Sequence, residues 1–102
     1  MFARVSHYTV HPERLQQGQR EVEEHVIPAL RTQPGFSGGL LLGNPESGKV
    51  LAVSLWENEL EMDATDEASH WFRAFGAEAA EGTVTDVETY EVYRAQLTHP
   101  EP

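Results

Sequence analysis

Side chains that move protons, donate to a forming anion or hold a cation are scarce in this chain. Cysteine is absent, which removes thiolate nucleophiles, disulfides and thiolate-held haem or iron–sulfur clusters. The five histidines are His7, His11, His25, His70 and His99. None falls in an H-E-x-x-H or Cys/His pattern, so no metal site is expected. His7 and His11 are four apart, but one reads as strand and the other as a strand–helix junction, so helical spacing does not apply. There is no P-loop, no G-x-G-x-x-G and no nucleophile elbow.

His70 is the best acid–base candidate, because imidazole titrates near neutral pH. The plain alternative is a histidine on the wet side of a helix. His7 and Tyr8 are consecutive in a strand and must point to opposite faces. One of the two is therefore expected to face a helix-side pocket. Trp71 and Phe72, with Phe75, sit at helical spacing, as core or as the lining of a cavity. Asp86 and Glu88 share a strand face, where a carboxylate pair is conceivable and a solvated edge is the simpler reading.

Composition narrows the partners. The chain has 102 residues, with 7 Lys plus Arg against 17 Asp plus Glu and a formal net charge of −10. An acidic surface without a basic cluster repels phosphate backbones and anionic lipid heads, so nucleic acid and membrane are not expected as partners. No apolar run approaches the ~20 residues of a membrane span. With no secretory signal legible at Met1–His7, a cytoplasmic location is the default expectation. The length fits one domain, residues 1–97, with a flexible tail over 98–102, where Pro100 and Pro102 stand without apolar neighbours.

These candidates must be positioned by local elements. Phe2 to Val10 reads as a strand, and Pro12 with Glu13 opens a helix. Leu15, Gly18, Val22, Val26, Ala29 and Leu30 recur at helical spacing to about Arg31. Pro28 lies inside that helix and cannot donate to Glu24, so a kink or a loosened last turn is expected. Phe36–Gly43 and Lys49–Glu57 read as strands joined by the turn Asn44-Pro45-Glu46-Ser47-Gly48, an antiparallel hairpin. Within the second strand, Gly38-Gly39 marks a bulge or a close approach. Asn58 with Glu61 forms a capping box for a second helix. Thr65 or Asp66 restarts it, and Gly82 is the expected C-cap. Thr83 to Ala95 is the last strand.

The hairpin does not alternate. Leu40-Leu41-Leu42 and Val50-Leu51-Ala52-Val53 place apolar residues on both faces of their strands. Two helices cover one face. The other needs a partner, and a second copy of the sheet would serve, so a homodimer is expected.

The order β-α-β-β-α-β, the Pro34-Gly35-Phe36 end of the first helix and Leu55-Trp56-Glu57-Asn58 after Gly48-Lys49-Val50-Leu51 resemble the antibiotic biosynthesis monooxygenase (ABM) family. The resemblance spans Phe2 to about Ala95. It implies an α+β, ferredoxin-like fold with an antiparallel sheet, assembled as a dimeric α+β barrel, and a small-molecule pocket between sheet and helices. It also implies a cofactor-independent monooxygenase that oxidises a small quinol-, phenol- or anthrone-like aromatic with O₂. Trp56 stands at the family's Trp landmark, as pocket wall and donor or simply as core. In that frame His70 and Trp56 are the catalytic candidates, and His7, Tyr8, Trp71 and Phe72 the substrate-binding ones. Two alternatives stay open. One is a non-catalytic or stress-related binding dimer of the same fold. The other is a haem-binding or haem-degrading member. For the latter His70 would have to be axial, and the Asn usual on the first strand is missing from Arg4-Val5-Ser6-His7.

Overall fold

The computed structural model describes residues 1–97; the expected tail, 98–102, lies outside the described residues. Strands β1 (Phe2–Thr9), β2 (Phe36–Gly43), β3 (Lys49–Trp56) and β4 (Thr83–Glu91) form one antiparallel sheet in the order β2-β3-β1-β4. Helices α1 (Leu15–Glu21), α2 (Ile27–Leu30), α3 (Glu59–Ala64) and α4 (Asp66–Ala79) complete the α+β layout. Among the described residues no helix is long and apolar enough to cross a membrane.

The pairing register fixes the faces. Arg4 lies opposite Ser54, Ser6 opposite Ala52 and Tyr8 opposite Val50, while Leu41 pairs with Ala52. These residues share the helix-covered face. Their neighbours Val5, His7, Leu51, Val53, Leu40 and Leu42 share the outer face, because strand side chains alternate. Leu40 and Leu42 are 42% and 48% exposed there. The non-alternating hairpin thus leaves one apolar face that the chain's own helices do not cover.

The first helix is broken as Pro28 requires. A 3₁₀ turn over Pro12–Arg14 leads into α1; Val22–Val26 is π-helical, and α2 resumes at Ile27. The Ile27 N–H reaches back to the Val22 carbonyl. That longer bond absorbs the turn in which Pro28 has no donor to offer. The Asn58 cap is as expected, its Oδ1 accepting from the Glu61 N–H at 2.8 Å.

The ends of α4 and β4 differ from expectation. The left-handed residue after α4 is Glu81 (φ 53°), not Gly82. The Gly82 N–H bonds the Ala77 carbonyl at 2.7 Å and the Glu81 N–H bonds that of Glu78 at 3.1 Å, a Schellman closure with glycine one place late. Gly82 is needed for space instead: a Cβ there would stand 2.5 Å from the Thr9 carbonyl. Strand β4 ends at Glu91 rather than Ala95, its last bond running from the Val92 N–H to the Met1 carbonyl. The Gly38-Gly39 pair does both jobs foreseen for it: the register shifts between Phe36 and Gly38, and a Cβ on Gly39 would meet the Val53 carbonyl at 2.7 Å.

Candidate functional site

A cavity of about 550 Å³ lies between the helix-covered face of the sheet and the helices. Its body is apolar, with Leu15, Val22, Val26, Phe36, Leu41 and Phe72 among its walls. Helix α4 contributes Ser69, Phe72, Arg73 and Gly76, followed by Ala80 past its end. That is an i, i+3, i+4, i+7, i+11 stripe, one face of a helix. Strand β1 contributes Arg4, Ser6 and Tyr8, and β3 contributes Ser54. These polar groups come from one face of the sheet and one face of α4, while Gln19, Glu23 and Arg31 add others from the first helical segment and its end.

Arg4 is 3% exposed and has acceptors for both of its Nη atoms. It donates through Nη1 to Ser69 Oγ at 2.5 Å and through Nη2 to the Met62 carbonyl at 2.8 Å. It pairs with Asp66 at 3.4 Å and lies over the Trp56 ring, 5.9 Å from its centroid. Burial pulls its pKa below the ordinary arginine value, against the pull of Asp66, and the neighbouring Arg73 charge lowers it further. Arg73 is different. Its Nη1 is buried and has no hydrogen-bond partner among the described residues. Burial pushes the Tyr8 phenol up to about 12, opposed by the Arg73 charge and by hydrogen bonding with Ser6. Tyr8 therefore stays a neutral donor at physiological pH.

The candidate residues separate. Tyr8 and Phe72 line the cavity. Trp56 does not: it is fully buried, packs edge-on against Phe36, and donates its indole N–H to Ser54 Oγ at 2.9 Å. It backs the cavity through residues on its wall, Ser54, Phe36 and Arg4. His70 is exposed and is not on the cavity wall: it follows Ser69 by one residue, about 100° round α4 from the inward stripe. Trp71 is 55% exposed and stacks on Phe75, so the helix turns Phe72 inward and Trp71 outward. Among the described residues no histidine lines the cavity.

His7 is on the outer face. Its Nε2 lies 2.5 Å from Glu88 Oε1, and the Tyr90 hydroxyl donates to Glu88 Oε2 at 2.6 Å. The Tyr90 donor, then His7, hold the Glu88 carboxyl below its ordinary range. With Asp86 these residues bring three potential metal-donor atoms within 4.8 Å of one another. The donors come from β1 and β4, beside the register shift at His7/Tyr8, so no sequence motif announces them.

Sequence reading missed Arg4, Ser54, Ser69 and Arg73. The one signal for the helical pair was spacing: Ser69, Phe72, Arg73, Gly76 and Ala80 form a stripe as regular as the aromatic one.

No family model matches the chain. Two uncharacterized proteins of Mycobacterium tuberculosis, one from each of two strains, are 31% identical to it over 99 residues. The match takes in 97% of this chain and 44% of theirs, so the chain spans less than half the length of the curated relatives it matches. Solved structures resemble it throughout. A monooxygenase of Streptomyces coelicolor, in complex with nanaomycin D, aligns with a TM-score of 0.72 at 18% identity, over 96% of this chain and 92% of that one. A cofactor-independent oxygenase of Streptomyces nogalater aligns at 0.62 and 21%, over 98% and 97%. A heme-degrader of Mycobacterium tuberculosis, holding two hemes in its active site, aligns at 0.67 and 20%, over 94% and 99%. At these identities the likeness is one of fold, and the fold is that of the antibiotic biosynthesis monooxygenases.

Proposed function

We propose that this chain binds a small, flat, largely apolar molecule between its sheet and its helices, and that it oxidises that molecule with O₂ as a cofactor-independent monooxygenase. The observation that carries the reading is the cavity: about 550 Å³, largely apolar along its walls, with Tyr8 and Arg73 both on its wall and the Arg73 charge acting on the Tyr8 phenol. Sites of this size and polarity hold small organic ligands. The S. coelicolor and S. nogalater enzymes of the same fold, named a monooxygenase and a cofactor-independent oxygenase, support the chemistry.

An anthrone-like substrate states the balance. A CH₂ between two rings loses its two hydrogens, one oxygen of O₂ becomes the new carbonyl, and the other leaves as water. The protein must stabilise the anion formed on loss of the first proton and keep bulk water away. In this reading Arg73 stabilises that anion, Tyr8 donates to its oxygen, and Trp56 positions Ser54. Among the described residues no imidazole lines the cavity, so in this reading water takes the proton or the substrate enters already ionised. His70 has no direct part. Among the described residues the cavity wall offers haem no imidazole ligand, and without a built-in base a second reading is binding without turnover. The outer sheet face is covered by a second copy of the chain, and a cytoplasmic location fits the composition.

The test is oxygen consumption with anthrone and naphthohydroquinone. Turnover above the buffer rate is expected to fall about a hundredfold in Arg73→Gln, as when an oxyanion donor is removed, and to survive in His70→Ala. Binding of these compounds with no turnover by the wild-type protein would select the second reading.

A further inference from the structure

Charge is distributed in this protein against its own composition. Acids outnumber bases 17 to 7 over the whole chain. The cavity wall reverses this: it carries Arg4, Arg31 and Arg73 against the single acid Glu23. Arg31 and Glu23 are both exposed, which places them at the mouth. Among the described residues the interior is left with two guanidiniums and no carboxylate on its wall.

The two guanidiniums are not equivalent. Arg4 has its acceptors built in: Ser69, the Met62 carbonyl and Asp66. Arg73 Nη1 is withdrawn from solvent and meets no acceptor among the described residues. Buried donors are almost always paired, and a charged one left unpaired is especially unfavourable. Arg73 projects from the inward stripe of α4 into a space that Tyr8 also borders with a neutral hydroxyl. An acceptor arriving with the ligand would pair it, and a negatively charged acceptor would pair it best.

We infer that the ligand of this cavity is an amphipathic anion: an apolar, flat body carrying one anionic oxygen group, which accepts from Arg73 Nη1 while the body lies against Phe72, Phe36 and Leu41. This rests on the reading of the cavity as a binding site and adds the charge of what enters it. A carboxylate and an ionised acidic hydroxyl share the required chemistry. Either would enter already charged, which suits a wall that carries no imidazole among the described residues.

The experiment is calorimetric titration of the full chain with 2-naphthoate, with its neutral counterpart 2-naphthamide, and with an acidic nitronaphthol ionised at the working pH. The carboxylate, the phenolate or both are expected to bind at least about tenfold more tightly than the amide, about 1.4 kcal/mol per tenfold. The better of the two identifies the anionic group. Arg73→Gln is expected to erase that preference and leave amide affinity within about twofold, since the charge-assisted bond alone is lost. Arg73→Lys is expected to keep part of the preference. Arg31→Gln, at the mouth, is expected to keep nearly all of it. Circular dichroism of each variant checks that the fold is retained. Equal affinity for anions and amide overturns the inference while sustaining the cavity as a binding site, as does a preference unchanged in Arg73→Gln. Binding of none of the three probes overturns both.

Discussion

Tyr8 reports the environment of the cavity's polar end through its own titration. Its phenol ionises near 10.0 in the unfolded chain and is pushed up to about 12 by burial in the folded one. The folded state therefore holds the proton more tightly. The resulting stability is fully present below pH 10 and is lost as pH rises through the folded value. Two pKa units correspond to about 2–3 kcal/mol. Urea unfolding between pH 9 and pH 12 is expected to show a fall in stability that is shallower in Tyr8→Phe by roughly that amount. Identical slopes for the two proteins would mean that Tyr8 is not buried as described. The parity of the strand made this residue half legible beforehand: His7 and Tyr8 had to face opposite ways, but only the pairing with β3 and β4 says which way the helices lie. His70 illustrates the converse. Its imidazole chemistry is legible in the residue alone, but its position is not, because Trp71 and Phe72 both fit an apolar stripe. The structure chooses Phe72, and one step of helical rotation puts His70 in water and Arg73 inside. An arginine in an amphipathic helix reads as solvent-facing by default, which is why the most informative cation in the molecule went unnoticed.

The elements that hold these residues meet through glycine. Gly18 in α1 faces Ala80 just past α4, and a Cβ on it would stand 2.8 Å from the Ala80 Cβ. The two helices approach that closely because both positions are small, and their approach sets the roof of the cavity, to which both residues belong. Gly76, four residues before Ala80 on the same stripe, is different: its nearest neighbour to an added Cβ is Val22 Cγ2 at 3.7 Å, ordinary contact. Opposite outcomes follow. Gly18→Val is expected to destabilise by about 1–3 kcal/mol through overpacking. Gly76→Ala is expected to stabilise by about 0.5–1 kcal/mol through helix propensity. Thermal denaturation of the pair decides it, and a stabilised Gly18→Val would show that α1 and α4 are not in contact there. Element types and most boundaries were legible because capping, turn and proline chemistry are local: the Asn58 cap, the break before Pro28 and the 44–48 turn all follow from neighbouring residues. What was not legible depends on distant ones. Gly82 looked like the left-handed cap by residue type, yet it is reserved for contact with Thr9 and Val10. Glu81 takes the left-handed position instead, and its carboxylate lies 3.5 Å from Arg14 Nη2.

At the scale of the whole molecule, the unpaired feature is the outer face of the sheet. Leu40 and Leu42 are 42% and 48% exposed, and Tyr90, on β4, is 50% exposed. Exposed apolar surface in a contiguous patch usually marks a contact. The polar set His7, Glu88 and Tyr90 on the same face pairs within itself, so little of it needs water if a second sheet covers it. Opposing this is charge: each copy carries −10, so association brings two acidic bodies together. The two effects respond differently to salt. Screening weakens the repulsion, while an apolar contact is left intact or strengthened. Sedimentation equilibrium at micromolar concentration is therefore expected to give a dimer whose dissociation constant falls as ionic strength rises from low to physiological. Leu42→Lys is expected to yield a folded monomer, because the side chain is half in solvent in the single chain and its loss changes monomer stability by only about 0.5 kcal/mol. A wild-type monomer at these concentrations would remove the second-copy proposal. A dimer that persists unchanged in Leu42→Lys would place its interface elsewhere on the molecule.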